Sequence, residues 1–175
     1  SLNNTELMKR IKKGELDITF SHHYINSDEI ESQFVLREPL IFILPKDHPL
    51  AKYERIPVKA LNGIDFIIPS VEQSQTLHHT ILDFAKANGI EFNIVQKADN
   101  ILFHIDSIGM GLGCTILPDY IAPLIMNNTV VRPLDVELPH LDLYISYGKN
   151  SHSAAVHQFM VLLMRVFYSD IKREQ

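Results

Sequence analysis

The chain has 175 residues, which is enough for one domain or for two small lobes. Apolar residues make up 46% and charged residues 21%, a composition that excludes collagen-like, disordered and coiled-coil chains. Sixteen Lys and Arg against 21 Asp and Glu give a net charge of −5, so the chain is a poor candidate for binding DNA through its own surface. The apolar run at residues 40–44 is far shorter than the roughly 20 residues that cross a bilayer.

The first third of the chain predicts one helix, one short strand and one long strand. Polar residues 3–6 are typical of a helix start, and Gly14 is placed to end that helix. Alternating apolar and polar residues over 16–20 predict a short strand. Residues 34–44, rich in Phe, Val, Ile and Leu, predict a strand long enough to run through two sheets.

The remainder alternates short strands with helices, which predicts an α/β fold with a mainly parallel sheet. Strands are predicted at residues 65–68, 92–95, 114–117, 129–131 and 141–147. Helices are predicted at residues 76–88, after an Asp99 cap, and from residue 151 or 153 onward, with short ones at Pro57 and Pro118. The last helix is expected to bury a stripe consisting of Val156, Phe159, Met160, Leu163, Val166 and Phe167.

Two apolar strand regions are candidate crossovers between two lobes. They are residues 34–44 and 114–117. This division places residues 1–38 and 115–175 in lobe I and residues 39–114 in lobe II.

No motif for nucleotide, metal or nucleophilic chemistry stands out. Gly109, Gly111 and Gly113 follow a predicted helix and precede a strand, the reverse of a dinucleotide loop, and are interpreted as a helix-to-strand turn. The adjacent pairs among the nine histidines, and the five-residue spacing of His152 and His157, suit solvated or capping side chains better than a chelate. No Gly-x-Ser-x-Gly elbow is present, and the single Cys114 falls in a strand expected to be buried. We therefore expect no cofactor, no metal and no catalysis.

Two polar loops are the best candidates for holding a ligand. Residues 3–5 and 70–76 both precede predicted helices, and the second loop carries three hydroxyls and two amides. Ligands of α/β folds bind at the carboxyl ends of strands, where helix N-termini present free N–H groups and a positive dipole end. An ordinary solvated loop with a helix cap explains the same residues equally well. If the loops do bind, the surplus of donors favours a small anion.

Four segments in sequence order resemble the effector-binding domain of LysR-type transcriptional regulators. They are GELDI at residues 14–18, EPLIFILPKDHPLA at 38–51, LNGIDFI at 61–67 and GMGLGCTILP at 109–118. The resemblance implies a type 2 periplasmic-binding-protein-like fold, in which two Rossmann-like α/β lobes joined by two crossover strands enclose a ligand cleft. It also implies effector contacts, by position, at Asn4, Thr5, Ser21, His22, Ser74, Gln75, Thr76, Asn100 and Thr115.

The chain departs from this family pattern at its beginning. The winged helix-turn-helix DNA-binding domain and the first β-α unit of the effector domain are expected to be missing from it, so DNA would be contacted only through that absent domain. The family further implies a cytoplasmic protein, with no membrane contact, that forms a homodimer or tetramer through this domain.

The alternatives are a periplasmic solute-binding protein of the same fold and an enzyme on that scaffold. The HPLA segment at residues 48–51 argues against the first.

Overall fold

A computed structural model describes residues 4–125, 127–149, 156 and 158–163, with no side-chain detail for Asn4 and Thr5. The chain forms two compact units, Ser1–Arg37 with Asp142–Gln175 and Glu38–Leu141. The first division lies one residue before the predicted one. The second differs, because residues 115–141 belong to the second unit rather than to lobe I. The reason is strand pairing: residues 115–118 pair with residues 40–43.

Three α-helices and seven strands organise the described residues up to 149. The helices are α1 (Asn4–Lys12), α2 (Val71–Ala87) and α3 (Ile101–Gly109). The strands are β1 (Ile18–Ser21), β2 (Ile30–Pro45), β3 (Asp65–Pro69), β4 (Asn93–Ala98), β5 (Thr115–Pro118), β6 (Thr129–Val131) and β7 (His140–Gly148). Short 3-10 helices occupy Pro49–Lys52, Val58–Leu61 and Asp119–Leu124. No helix among the described residues is both long and apolar enough to span a membrane.

In the first unit, β7 lies between β1 and β2. β1 pairs with β7 in antiparallel register, from Ile18 opposite Tyr147 to Ser21 opposite Tyr144. α1 packs through Ile11 on a small core that also holds Ile25 and Ile30. It ends as predicted, because Gly14 adopts a φ of 69°, which favours glycine over any other residue.

The described part of the C-terminal segment, residues 156 and 158–163, is helical. Val156 is buried as predicted, whereas Phe159 is 42% exposed and lies edge-on to Phe20. The expected inward orientation of Phe159 is therefore wrong. Val166, Phe167, His152 and His157 lie outside the described residues.

The second unit contains the main hydrophobic core. β3 and β4 pair in parallel, while the second half of β2 pairs with both β5 and β6 in antiparallel register. Phe66 of β3 stacks on Phe92 with ring centroids 4.0 Å apart, and both are buried. The pairings described are mixed, so the expectation of a mainly parallel sheet is wrong. Alternation of helices and strands predicts that neighbouring strands are parallel. It does not predict that β5 and β6 pair in antiparallel register with the long strand β2.

The glycine-rich segment forms the predicted turn between α3 and β5. Gly111 has a φ of 81°, and Gly113 lies against the backbone of β3. A Cβ at Gly113 would stand 2.8 Å from the Asp65 carbonyl oxygen. This close approach lets Cys114 pair with β3, donating to the Asp65 oxygen at 2.8 Å and accepting from Ile67 at 2.9 Å.

Candidate ligand-binding site

Two helices of the second unit begin side by side at one edge of a sheet. β3 and β4 run parallel, with Pro69 opposite Ala98 at their carboxyl ends. The amide of Ser70 donates to the carbonyl of Ala98 over 2.8 Å, which joins the two strand ends directly. α2 follows β3 and α3 follows β4, so both helix N-termini lie at this edge.

α2 has two capped starts instead of one. Ser70 is buried and its Oγ accepts from the amide of Gln73 at 3.1 Å. Ser74 then leaves the helical conformation, with φ −157° and ψ 94°, and its Oγ accepts from the amide of Leu77 at 3.4 Å. The prediction that residues 70–75 form a loop before a helix from Thr76 is therefore wrong. The hydroxyls instead divide the segment into a first turn and a helix body.

α3 begins with an amide cap. Asn100 has an extended backbone, and its Oδ1 accepts from the amide of Phe103 at 2.8 Å. The predicted cap, Asp99, stands one residue too early. The first N–H groups of a helix have no partner within that helix, so the starts of α2 and α3 both offer donors and positive dipole ends.

Apolar side chains accompany these donors. Val71 in the first turn of α2 is 43% exposed, and Leu102 and Phe103 in the first turn of α3 are 64% and 49% exposed. Large apolar side chains at such exposure can contact the apolar part of a ligand. This edge therefore combines helix N-terminal N–H donors with apolar surface.

The structure places five of the nine predicted contact residues in this unit. Ser74 caps the body of α2, Gln75 and Thr76 follow it, and Asn100 caps α3. Thr115 is different because it is fully buried. Its Oγ1 donates to the carbonyl of Ile67 at 2.8 Å and lies 2.8 Å from Nε2 of His104. We correct its assignment from a ligand contact to a structural residue.

The other four predicted residues belong to the first unit. Asn4 and Thr5 lie in the first turn of α1 rather than in a loop before it. Ser21 ends β1, and its Oγ donates to the carbonyl of His23 at 2.9 Å. His22 follows and is half-buried. A cavity of about 260 Å³ in this unit is lined by residues such as Ile11, Lys12 and Glu29, and neither Ser21 nor His22 lines it.

Sequence reasoning missed two histidines. His78 of α2 is buried rather than solvated, and its Nδ1 donates to the carbonyl of Pro69 at 2.7 Å, which ties α2 to the end of β3. His104 of α3 is fully buried, and burial lowers its pKa to about 4 although a bond to the Ile67 carbonyl acts in the opposite direction. Its only sequence signal is its spacing among the apolar residues of α3.

The remaining reactive groups are inert or scattered. Burial, followed by the nearby Asp65 carboxylate, raises the pKa of the Cys114 thiol to about 12, so the thiol stays protonated as its predicted strand position suggested. Within the described parts of the chain, no three His, Cys, Asp or Glu residues are grouped to hold a metal ion.

Comparison with known proteins places this geometry in a family. The protein-family model described as the LysR substrate binding domain matches residues 1–167 of this chain. The Hca operon transcriptional activator HcaR of Escherichia coli K12 is 32% identical over 163 residues, covering 93% of this chain and 55% of HcaR. The regulator AlsR of Bacillus subtilis is 24% identical, covering 91% of this chain and 53% of AlsR. The chain thus spans about half the length of these curated relatives.

Solved structures show the same fold. The regulatory domain of CcmR from Synechocystis PCC6803, in complex with 2-PG, has a TM-score of 0.79 at 20% identity, over 94% of this chain and 80% of that one. The BenM effector binding domain with benzoate has a TM-score of 0.81 at 14% identity, over 97% and 77%. The fold is therefore the type 2 periplasmic-binding-protein-like α/β fold that the motifs implied. The chain belongs to the LysR substrate binding domain family.

Proposed function

We propose that this chain is the ligand-sensing domain of a LysR-type transcriptional regulator and binds a small anionic metabolite at the capped starts of α2 and α3. The observation that carries the proposal is the meeting of these two helix N-termini beside exposed Val71, Leu102 and Phe103. Each N-terminus favours a nearby anion by about 0.3–1 kcal/mol when exposed and up to about 2 when partly buried. A carboxylate or similar oxyanion with an apolar body suits this combination.

The proposed contacts are the predicted residues that remain available. In the second unit these are Ser74, Gln75, Thr76 and Asn100, to which the structure leads us to add the first turn of α2 from Ser70. In the first unit the proposed contacts are Asn4, Thr5, Ser21 and His22. Related solved structures support a small oxyanion, since QuiR is described in complex with shikimate and BenM with benzoate.

The proposed role in the whole protein is regulation. In this proposal a winged helix-turn-helix domain contacts DNA, and the ligand acts through its different affinities for two states of a dimer or tetramer in the cytoplasm. The names of the relatives, an operon activator and an HTH-type regulator, support this role. With a charge of −5, this chain alone should give no sequence-specific gel shift at physiological salt.

A thermal-shift screen tests the ligand class. Benzoate, shikimate, dicarboxylates and amino acids are compared with their neutral amides or esters. A carboxylate should raise the melting temperature by mass action, and its neutral analogue should do so much less. Equal stabilisation by both forms, or stabilisation by amines, would contradict an anion site.

A pair of matched variants tests the position. Thr76 and Thr80 are both half-buried and lie one turn apart on α2. Thr76→Trp should block the carboxylate found in the screen, whereas Thr80→Trp should leave its affinity within about twofold of the parent. Equal binding by both variants would show that the site lies elsewhere. Conversion of the bound compound, followed by NMR, would instead favour an enzyme.

A further inference from the structure

A buried three-atom network joins α3 to the sheet beneath it. Nε2 of His104 lies 3.1 Å from the carbonyl oxygen of Ile67 and 2.8 Å from Oγ1 of Thr115. The same Thr115 hydroxyl lies 2.8 Å from the Ile67 oxygen. His104 and Thr115 are both fully buried, so no solvent competes for these bonds.

The network fixes the protonation state of the imidazole. Thr115 has one hydroxyl proton, which it donates to the Ile67 carbonyl, so Nε2 of His104 must carry a proton and act as a donor. Nδ1 of His104 is buried and has no hydrogen-bond partner in the described structure. A second proton on Nδ1 would place an unpaired charged donor in the core. The network therefore requires a neutral His104.

His104 is also one turn from the cap of α3. Its amide donates to the carbonyl of Asn100 at 3.1 Å, while Asn100 Oδ1 accepts from the amide of Phe103 at 2.8 Å. His104 thus bonds to β3 through its side chain and to the cap residue Asn100 through its backbone amide. Movement of His104 would move the first turn of α3.

Other titratable side chains lie on the elements around His104. The other titratable residues on the elements around it (α3, β3, β4, β5 with its preceding residue, and α2) are Asp106, Asp65, Lys97, Cys114, Glu72, His78, His79, Asp83 and Lys86. Asp106, Asp65 and Lys97 are exposed. Burial lowers the pKa of His104 to about 4, and the Ile67 carbonyl is the opposing influence.

We propose that His104 is a positioning residue whose neutral imidazole holds the first turn of α3, and with it Asn100, in place at the ligand site, and that protonation releases this turn. The proposal rests on the proposed function for the identity of the site, but the hold itself exists without ligand. It makes ligand affinity sensitive to pH through a residue that the ligand never touches.

Amide hydrogen exchange, measured on the full chain without any ligand, tests whether His104 holds the first turn of α3 in place. The amides of Phe103 and His104 report the first turn, and the amides of the β2–β5 ladder report global unfolding. If opening returns His104 to a pKa near 6.5, the opening equilibrium should rise about 30-fold between pH 7.5 and pH 5, after correction for intrinsic exchange rates. His104→Gln keeps a donor near the Nε2 position and cannot titrate, so this rise should vanish at residues 103 and 104.

His79→Gln is the matched control, because His79 is exposed on α2 and should retain the 30-fold change. Equal pH dependence in the parent and His104→Gln would overturn the proposal. So would amides at residues 103 and 104 that open only as rarely as those of the β2–β5 ladder at pH 5, since the first turn would then be released only by global unfolding. His104→Leu, which removes the donor, should open the turn at both pH values.

Benzoate affinity measured by calorimetry provides the second readout. Between pH 7.5 and pH 5 it should fall further for the parent and His79→Gln than for His104→Gln, and an equal fall in all three would overturn the coupling to the site. Failure of benzoate to bind the parent at pH 7.5 would count against benzoate as a ligand in the proposed function. The exchange result would still decide the role of His104.

Discussion

Replacing Gly113 by alanine should destabilise the second unit without altering any side-chain chemistry. Gly113 is not one of the glycines with positive φ, so alanine is not opposed by backbone conformation. It is opposed by space, because the new Cβ would stand 2.8 Å from the carbonyl oxygen and 3.0 Å from the carbonyl carbon of Asp65, and 3.2 Å from the amide nitrogen of Phe66. All three are backbone atoms of β3, which cannot rotate away.

The cost follows from what must move. Separating the strands strains the two backbone bonds that Cys114 makes to Asp65 and Ile67. Overpacking of this kind costs about 1–3 kcal/mol, and the partial weakening of the two bonds adds about 1 kcal/mol in total. We therefore expect Gly113→Ala to lower the free energy of unfolding by about 2–4 kcal/mol.

Urea unfolding followed by circular dichroism measures this loss, which should move the midpoint by about 1–2 M for a slope near 2 kcal/mol/M. Gly148→Ala is the control, because its Cβ would meet only Cγ2 of Ile11 at 3.9 Å, an ordinary contact. That variant should stay within about 0.5 kcal/mol of the parent. A Gly113→Ala variant as stable as Gly148→Ala would refute the reasoning.

Three further predictions concern single side chains. Asn100→Ala should remove the cap of α3 and cost about 1 kcal/mol in urea unfolding, and an unchanged midpoint would contradict this. The pKa of His104 is about 4 in the folded chain against 6.5 when exposed, so the unfolded state binds a proton that the folded state does not. The free energy of unfolding should therefore fall by about 3 kcal/mol as pH drops from 6.5 to 4, and His104→Gln should lack this part of the fall. Cys114 should resist iodoacetamide at pH 8 until urea unfolds the chain, and rapid labelling of the folded form would contradict its burial.

Much of the fold could be predicted because its signals are local. Gly14 ends α1 with the positive φ that its position suggested, and the apolar run at residues 34–44 forms the centre of the long strand β2. The order of short motifs also predicted the family and the fold class. Apolar periodicity and glycine placement depend on neighbours in sequence, and they require no knowledge of distant contacts.

The start of each site helix was harder to place, because several adjacent residues can cap. Asp99 and Asn100 are equally suitable by type, and only Asn100 turns out to accept from a helix amide. Ser70 and Ser74 both cap within five residues, so a single start could not describe α2. Capping is decided by backbone geometry that the residue type alone does not reveal.

Thr115 illustrates the other limit. Its partners, His104 and Ile67, are 11 and 48 residues away, and only the packing of α3 against β3 brings the three together. A threonine at the start of a strand is equally compatible with lining a site or satisfying a core carbonyl. The tertiary contacts decide between these roles, and here they favour the core.

The first cap of α2 sets three residues of the proposed ligand site, Val71 to Gln73, apart from the residues that anchor the helix. Leu77, Ile81 and Phe84, which anchor the helix in the core, all follow Ser74 and are held by that second cap. The turn from Val71 to Gln73 is capped by the Ser70 hydroxyl and contributes no buried side chain to the core. Substitutions in this turn of the proposed site should therefore alter ligand preference while the helix body keeps its stability. In the proposed site a new specificity can evolve through changes in three consecutive residues, with no repacking of the interior.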